Sequence, residues 1–120
     1  MKNISFKLVH RLVLLGTIDS EGAKGDSLQE LSKMLKLVDK LQVTAEEAEK
    51  FKLKLENSAY KWILKDEEGN DIDDTKEVEF SDDQAEKLKA ILKRKSDAKE
   101  FKMAEAGPML EIAEKLGMDL

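Results

Sequence analysis

Two groups of residues in this chain could do chemistry: the single histidine, His10, and a run of carboxylates between Asp66 and Asp83. A histidine works as a general acid or base only with a nucleophile or carboxylate in reach. Its sequence neighbours Val9 and Arg11 supply neither, so His10 reads as a residue on the flank of a helix. The adjacent acids Asp73–Asp74 and Asp82–Asp83 have the composition of an acid–base pair. Catalytic carboxylates are normally part-buried, with displaced pKa values, whereas these four lie in strongly polar sequence. No catalytic residue is assigned, and the chain is expected not to be an enzyme.

Calcium binding is the other chemistry that such a run could perform. An EF-hand loop needs glycine at its sixth position and glutamate at its twelfth. Counted from Asp66, those positions hold Asp71 and Glu77, and the flanks read as strands rather than helices. The run is therefore read as a solvated hairpin loop whose charge blunts edge pairing. No metal and no cofactor is expected. Gly22-Ala23-Lys24-Gly25 has the spacing of neither nucleotide fingerprint. The chain has no cysteine, which removes disulfides, thiolate zinc sites, iron–sulfur clusters and cysteine nucleophiles.

The carboxylate run also dominates the charge. The chain holds 21 basic and 26 acidic residues, net −5. Asp66 to Asp83 holds ten acids and one base, Lys76, a net of −9; the remaining 20 bases and 16 acids give +4. So lopsided a field steers a basic partner and repels nucleic acid. The candidate partner-binding surface is Glu67, Glu68, Asp71, Asp73, Asp74, Glu77, Glu79, Asp82 and Asp83. Lys93-Arg94-Lys95 is the one dense basic cluster, too narrow for direct nucleic-acid binding. No segment approaches the ~20 apolar residues of a membrane span. The apolar run Leu12–Leu15 is too short, and too closely flanked by Lys7 and Arg11, for a signal peptide. These features predict a soluble, cytoplasmic protein.

The elements that must position these residues follow from periodicity and caps. At 120 residues, 41% apolar, the chain fits one domain over 1–120. Its expected parts are helices over about 5–50, a β-hairpin or meander over about 51–80, and C-terminal helices over about 82–117. Ser5 is read as the cap of a first helix with Leu8, Leu12 and Leu15 on one face, stopped by Gly16. Thr17 to Asp26 reads as a loop. Ser27-Leu28-Gln29-Glu30, Thr44-Ala45-Glu46-Glu47 and Ser81-Asp82-Asp83-Gln84 are capping boxes that open three further helices. In the first of these, Leu28, Leu31, Leu35 and Val38 make the apolar stripe, with Met34, Leu37 and Leu41 beside it.

Phe51, Leu53 and Leu55 alternate with lysines, and Tyr60 to Lys65 is rich in aromatic and β-branched residues. Tyr60 and Trp62 share a strand face and are expected in the core. Val78 and Phe80 alternate with Glu77 and Glu79. Ala85, Leu88, Ile91 and Leu92 stripe the next helix. Phe101 and Met103 suggest a short extended piece, and Pro108 suits the first turn of a last helix carrying Leu110, Ile112, Ala113 and Leu116. The fold class is α+β: amphipathic helices packed with a small antiparallel β-meander.

Read in order, a leucine-rich helix after a glycine loop leads to Thr44-Ala45-Glu46-Glu47. A Trp-bearing strand leads to Lys76-Glu77-Val78-Glu79-Phe80-Ser81, and a short helix ends the chain. Over about residues 27–118 this order resembles the small acidic accessory proteins of bacteriophages and prophages. The resemblance implies a cytosolic, non-enzymatic binder of host or phage protein and assigns no site residue. The expected function is a protein-interaction module whose acidic surface takes a basic protein partner. The alternatives are a nucleic-acid mimic that inhibits a DNA- or RNA-handling protein, and a small subunit that self-associates through spare apolar helix faces into a homo-oligomer.

Overall fold

The computed structural model describes residues 2–57 and 59–118. The class is α+β. Strand β1 (Lys2–Phe6) is followed by helices α1 (Leu8–Ala23), α2 (Leu28–Leu41) and α3 (Ala45–Lys50). Strands β2 (Lys54–Glu56), β3 (Ala59–Lys61) and β4 (Lys76–Phe80) lead to α4 (Asp82–Asp97) and α5 (Met103–Lys115). No helix among the described residues is long and apolar enough to cross a membrane.

The chain starts with a strand, not with the expected helix at Ser5. Ile4 and Phe6 alternate with polar residues and are buried, a period of two that is too short at a chain end to stand out. β1 pairs antiparallel with β4, setting Ile4 opposite Val78, Ser5 opposite Glu77 and Asn3 opposite Glu79. Ile4, Phe6, Val78 and Phe80 face the core, where the Phe6 and Phe80 rings meet edge to face at 6.2 Å. The expected meander is therefore divided. β2 and β3 pair with each other, and β4 pairs across the molecule with β1. Past β3 the chain folds back through a Lys65–Asp71 bridge and hydrogen bonds from Ile72 N–H to the Leu64 carbonyl and from Asp66 N–H to the Asn70 carbonyl, while Ile63 N–H donates to the Phe51 carbonyl. Residues 54–72 thus form an arm separate from the β1–β4 ribbon.

Gly16 does not stop α1, and Thr17 to Asp26 is not a loop. A mid-helix glycine costs only about 1 kcal/mol relative to alanine. Burial of Ile18 and the pairing of buried Glu21 with Lys24 and Arg94 carry the helix on to Ala23. The turn lies at 24–27, where Gly25 has φ +88°.

The boundaries of α2 are those the periodicity predicts, but its stripe is rotated. Met34, Leu37 and Leu41 are buried, Leu31 and Val38 pack partly against the core, and Leu28 and Leu35 are exposed. α1 packs on α2 and α5, and α2 packs on α4. The stripe of α4 is as expected: Ala85, Leu88, Ile91 and Leu92 are all buried. α5 opens at Met103, so 101–103 is no strand, and Pro108 lies inside the helix rather than at its start. Tyr60 and Trp62 are not core residues: Tyr60 is 51% exposed opposite exposed Leu55, and Trp62 is half-buried. The fully buried aromatic rings are Phe6, Phe51 and Phe80.

Candidate functional site

The carboxylate run is distributed over three settings. The first is a tight turn in the arm. The Asp66 carboxylate accepts hydrogen bonds from Glu68 and Asn70 N–H, both at 2.9 Å, and Gly69 takes φ +83°. Asp66 is thus the acceptor that closes the loop. Glu67 lies 3.8 Å from Lys52 Nζ and Asp71 lies 4.0 Å from Lys65 Nζ, both at the surface. Glu68 is exposed beside them. Such exposed pairs contribute little energy but compensate charge locally.

The second setting is the connection into β4, where two acids work for the fold. Asp73 accepts from Thr75 N–H at 3.0 Å and from its hydroxyl at 2.7 Å. The hydroxyl bond first, then the backbone bond, lowers its pKa from the ordinary carboxylate value. Asp74 accepts from Leu8 N–H at 3.2 Å, so it caps α1 from 66 positions away. A side-chain oxygen on the free amides of a helix start normally comes from the cap residue itself; here Lys7 cannot supply it.

The third setting is β4 and the start of α4. Glu77 and Glu79 alternate with buried Val78 and Phe80, and so project from the outer face of the ribbon, opposite Ser5 and Asn3. Asp82 and Asp83 follow in the first turn of α4, where negative charge complements the helix dipole. The reciprocal cap that opens α4 is formed: Gln84 N–H donates to Ser81 Oγ at 3.2 Å and Ser81 N–H to Gln84 Oε1 at 2.9 Å. Among the described residues, Glu77, Glu79 and Asp83 pair with no cation. Lys40, close by, donates to the Glu79 carbonyl rather than to its carboxylate.

His10 is fully buried and has the carboxylate partner that its sequence surroundings lack. Lys7 N–H donates to its Nδ1 at 3.1 Å, and its Nε2 lies 2.6 Å from Glu111 Oε2. Since Nδ1 accepts, the network assigns the proton to Nε2, which donates to Glu111. That bond holds the Glu111 carboxyl below its ordinary pKa. Both ring nitrogens are thereby used, one at the start of α1 and one to tie α1 to α5. An open cavity of about 470 Å³ lies beside the pair, walled by Lys7, Glu111, Glu114 and Lys115. Glu111 lies 101 positions from His10, and no local pattern could have joined them.

A buried charge also escaped the sequence. Arg11 is fully buried and holds Glu47 in a two-pronged ion pair, with Lys76 Nζ at 3.6 Å from the same carboxylate. Glu47 also closes the α3 cap with Thr44, as the capping box predicts. The Arg11 hydrogen bond is the main reason its pKa is lowered to about 2. Among the described residues no group of three His, Asp or Glu side chains is arranged to hold a metal ion. The chain matches no family model, no curated protein and no solved structure.

Proposed function

We propose that this chain is a non-enzymatic protein-interaction module, of the phage-accessory type, that works in the cytoplasm and docks a basic patch of a host or phage protein. The docking surface is the outer face of the β1–β4 ribbon with the start of α4: Glu77, Glu79, Asp82 and Asp83. One observation carries this reading. Glu77, Glu79 and Asp83 are exposed on the ribbon and the first turn of α4 and, among the described residues, make no ion pair. The arm acids Glu67 and Asp71 already have lysines, and Asp73 and Asp74 are used as caps. A mimic of nucleic acid would need a longer unbroken row of carboxylates. The row here is short and has Lys40 of α2 at Glu79 and Lys33 and Lys36 near Asp83, which favours the adaptor.

The test is capture of partners from host lysate by three proteins: wild type, a ribbon variant (Glu77→Lys, Glu79→Lys, Asp83→Lys) and an arm variant (Glu67→Lys, Glu68→Lys, Asp71→Lys). A partner lost with the ribbon variant and kept with the arm variant is the expected result. Its association rate should fall with salt for the wild type, because rim charges act mainly on encounter. A partner that both variants retain would remove the acidic surface from the account. The exposed Leu28 and Leu35, seven residues apart on α2, favour self-association as the second reading. A monomer by light scattering at high concentration would end it.

A further inference from the structure

Away from the acidic face, an open cavity of about 420 Å³ lies between the middle of α1 and the α4–α5 junction. Two features that the fold does not require meet there. The first is Lys95, on the last turn of α4, which lines the cavity and is only 7% exposed. Among the described residues it makes no hydrogen bond and no ion pair; its ammonium lies over the Phe101 ring, 5.8 Å from the centroid. The side chain is largely buried while its ammonium still reaches the open cavity, where an anion could meet it.

The second feature is Gly16, at the centre of α1 and on the wall of the same cavity. A Cβ added there would meet nothing within 4 Å. Neither close packing nor a left-handed backbone demands glycine at this position, and in a helix interior it is destabilising relative to alanine. Glycine leaves this stretch of the cavity wall without a side chain.

The rest of the lining defines the occupant. Leu12 and Val13 give one wall an apolar surface. Thr17 donates its hydroxyl proton to the Val13 carbonyl at 2.9 Å, leaving oxygen lone pairs but no free donor. Lys102 adds a second cation at the rim, also without an ion pair among the described residues. Two carboxylates line the cavity and both are engaged. Glu100 binds Lys24 Nζ at 2.6 and 2.7 Å, and Glu105 accepts from Lys102 N–H at 3.3 Å. They partly offset the lysines and disfavour a dianion.

We propose that this cavity binds a small aliphatic monocarboxylate, its carboxylate on Lys95 Nζ and its tail against Leu12 and Val13. The bond to Lys95 is charge-assisted, which makes it stronger than a neutral hydrogen bond. The Phe101 ring holds the ammonium in place when the site is empty.

The experiment is an amide-resolved NMR titration with hexanoate, hexylamine and inorganic phosphate. It uses the wild type, Lys95→Met and Gly16→Leu. In the wild type, hexanoate should give saturable shifts at Gly16 and Thr17, while hexylamine and phosphate do not. Lys95→Met should weaken hexanoate by about tenfold, the loss of one charge-assisted contact. Gly16→Leu fills the open space and replaces a helix-breaking residue, so it should fold at least as well as the wild type and bind nothing. That variant keeps the test decisive should Lys95→Met fail to fold. No saturable shift in the wild type, equal hexanoate affinity in either variant, hexylamine binding as tight as hexanoate, or tighter binding of phosphate would each overturn the proposal.

Discussion

Glu47 joins α1, α3 and β4 through one carboxylate. It caps α3, neutralises the fully buried Arg11 and draws in Lys76 from β4. Replacing it with glutamine leaves a guanidinium buried without its anion, and Arg11 Nε already lacks a partner. Glu47→Gln should cost about 3 kcal/mol at pH 7 by urea denaturation. The pH dependence has a definite sign. The folded pKa of about 2 is below the usual 4.5, so the pair stabilises fully above the unfolded value and loses its effect as pH falls from about 5 towards 2. The gap between wild type and variant should close over that window, and a constant gap would refute the ion-pair account. Asp74 allows a second test at this scale. Asp74→Ala removes the acceptor for Leu8 N–H and should cost about 1 kcal/mol, whereas Asp71→Ala should stay within about 0.5 kcal/mol. Chemical denaturation of both variants checks this. The Thr44–Glu47 cap is legible in four consecutive residues. The Arg11 partnership is not, because Glu47 lies 36 positions away and an arginine just before Leu12–Leu15 reads as the polar edge of an amphipathic helix.

Helices α2, α3 and α4 were legible at their starts because caps and periodicity agree there, while the end of α3 was not, since Ala48, Phe51 and Leu55 also fit a longer helix. Their orientation was legible only where apolar residues are few. In α4 the four apolar positions define one stripe. In α2, Leu28, Leu31, Met34, Leu35, Leu37, Val38 and Leu41 spread over about half the circumference, so the pattern fits two stripes. Packing chooses the one centred on Met34, Leu37 and Leu41 because α1 and α4 lie on that side. The choice predicts opposite outcomes for two neighbouring leucines. Leu37→Ala should cost about 2–5 kcal/mol, while Leu35→Ala should change stability by less than about 0.5 kcal/mol. Equal costs in thermal unfolding would mean that Leu35 is covered in solution, as self-association through α2 requires. The first strand was invisible for another reason: only Ile4 and Phe6 mark its inner face, and its partner is 70 residues on. Phe6→Ala should cost about 3–5 kcal/mol, because the ring is fully buried against Phe80 and His10. A cost under about 1 kcal/mol in the same measurement would mean that β1 is not part of the folded core.

At the scale of the whole molecule, the acidic run is carried by two bodies with unequal support. The ribbon has five-residue strands with a buried face, and it is continuous with the core. The arm has three-residue ladders whose residues are all exposed, with Lys54 directly opposite Lys61. Like charges in cross-strand register are unfavourable, and the Lys61–Glu56 contact at 3.3 Å offsets this only at the surface. The arm should therefore open locally, well below the free energy of global unfolding. Amide hydrogen exchange is expected to be about a hundredfold faster for 54–56 and 59–61 than for the interiors of α1, α2 and α4. This bears on recognition, since a carboxylate pattern can be read as one rigid template only if all its parts move together. With a loose arm, Glu67, Glu68 and Asp71 act as a diffuse charge, and only Glu77, Glu79, Asp82 and Asp83 keep a fixed spacing for a partner. Protection of the arm equal to that of the core would reverse the conclusion. Both groups of acids would then form a single rigid face, and the mimic of nucleic acid would become the better reading.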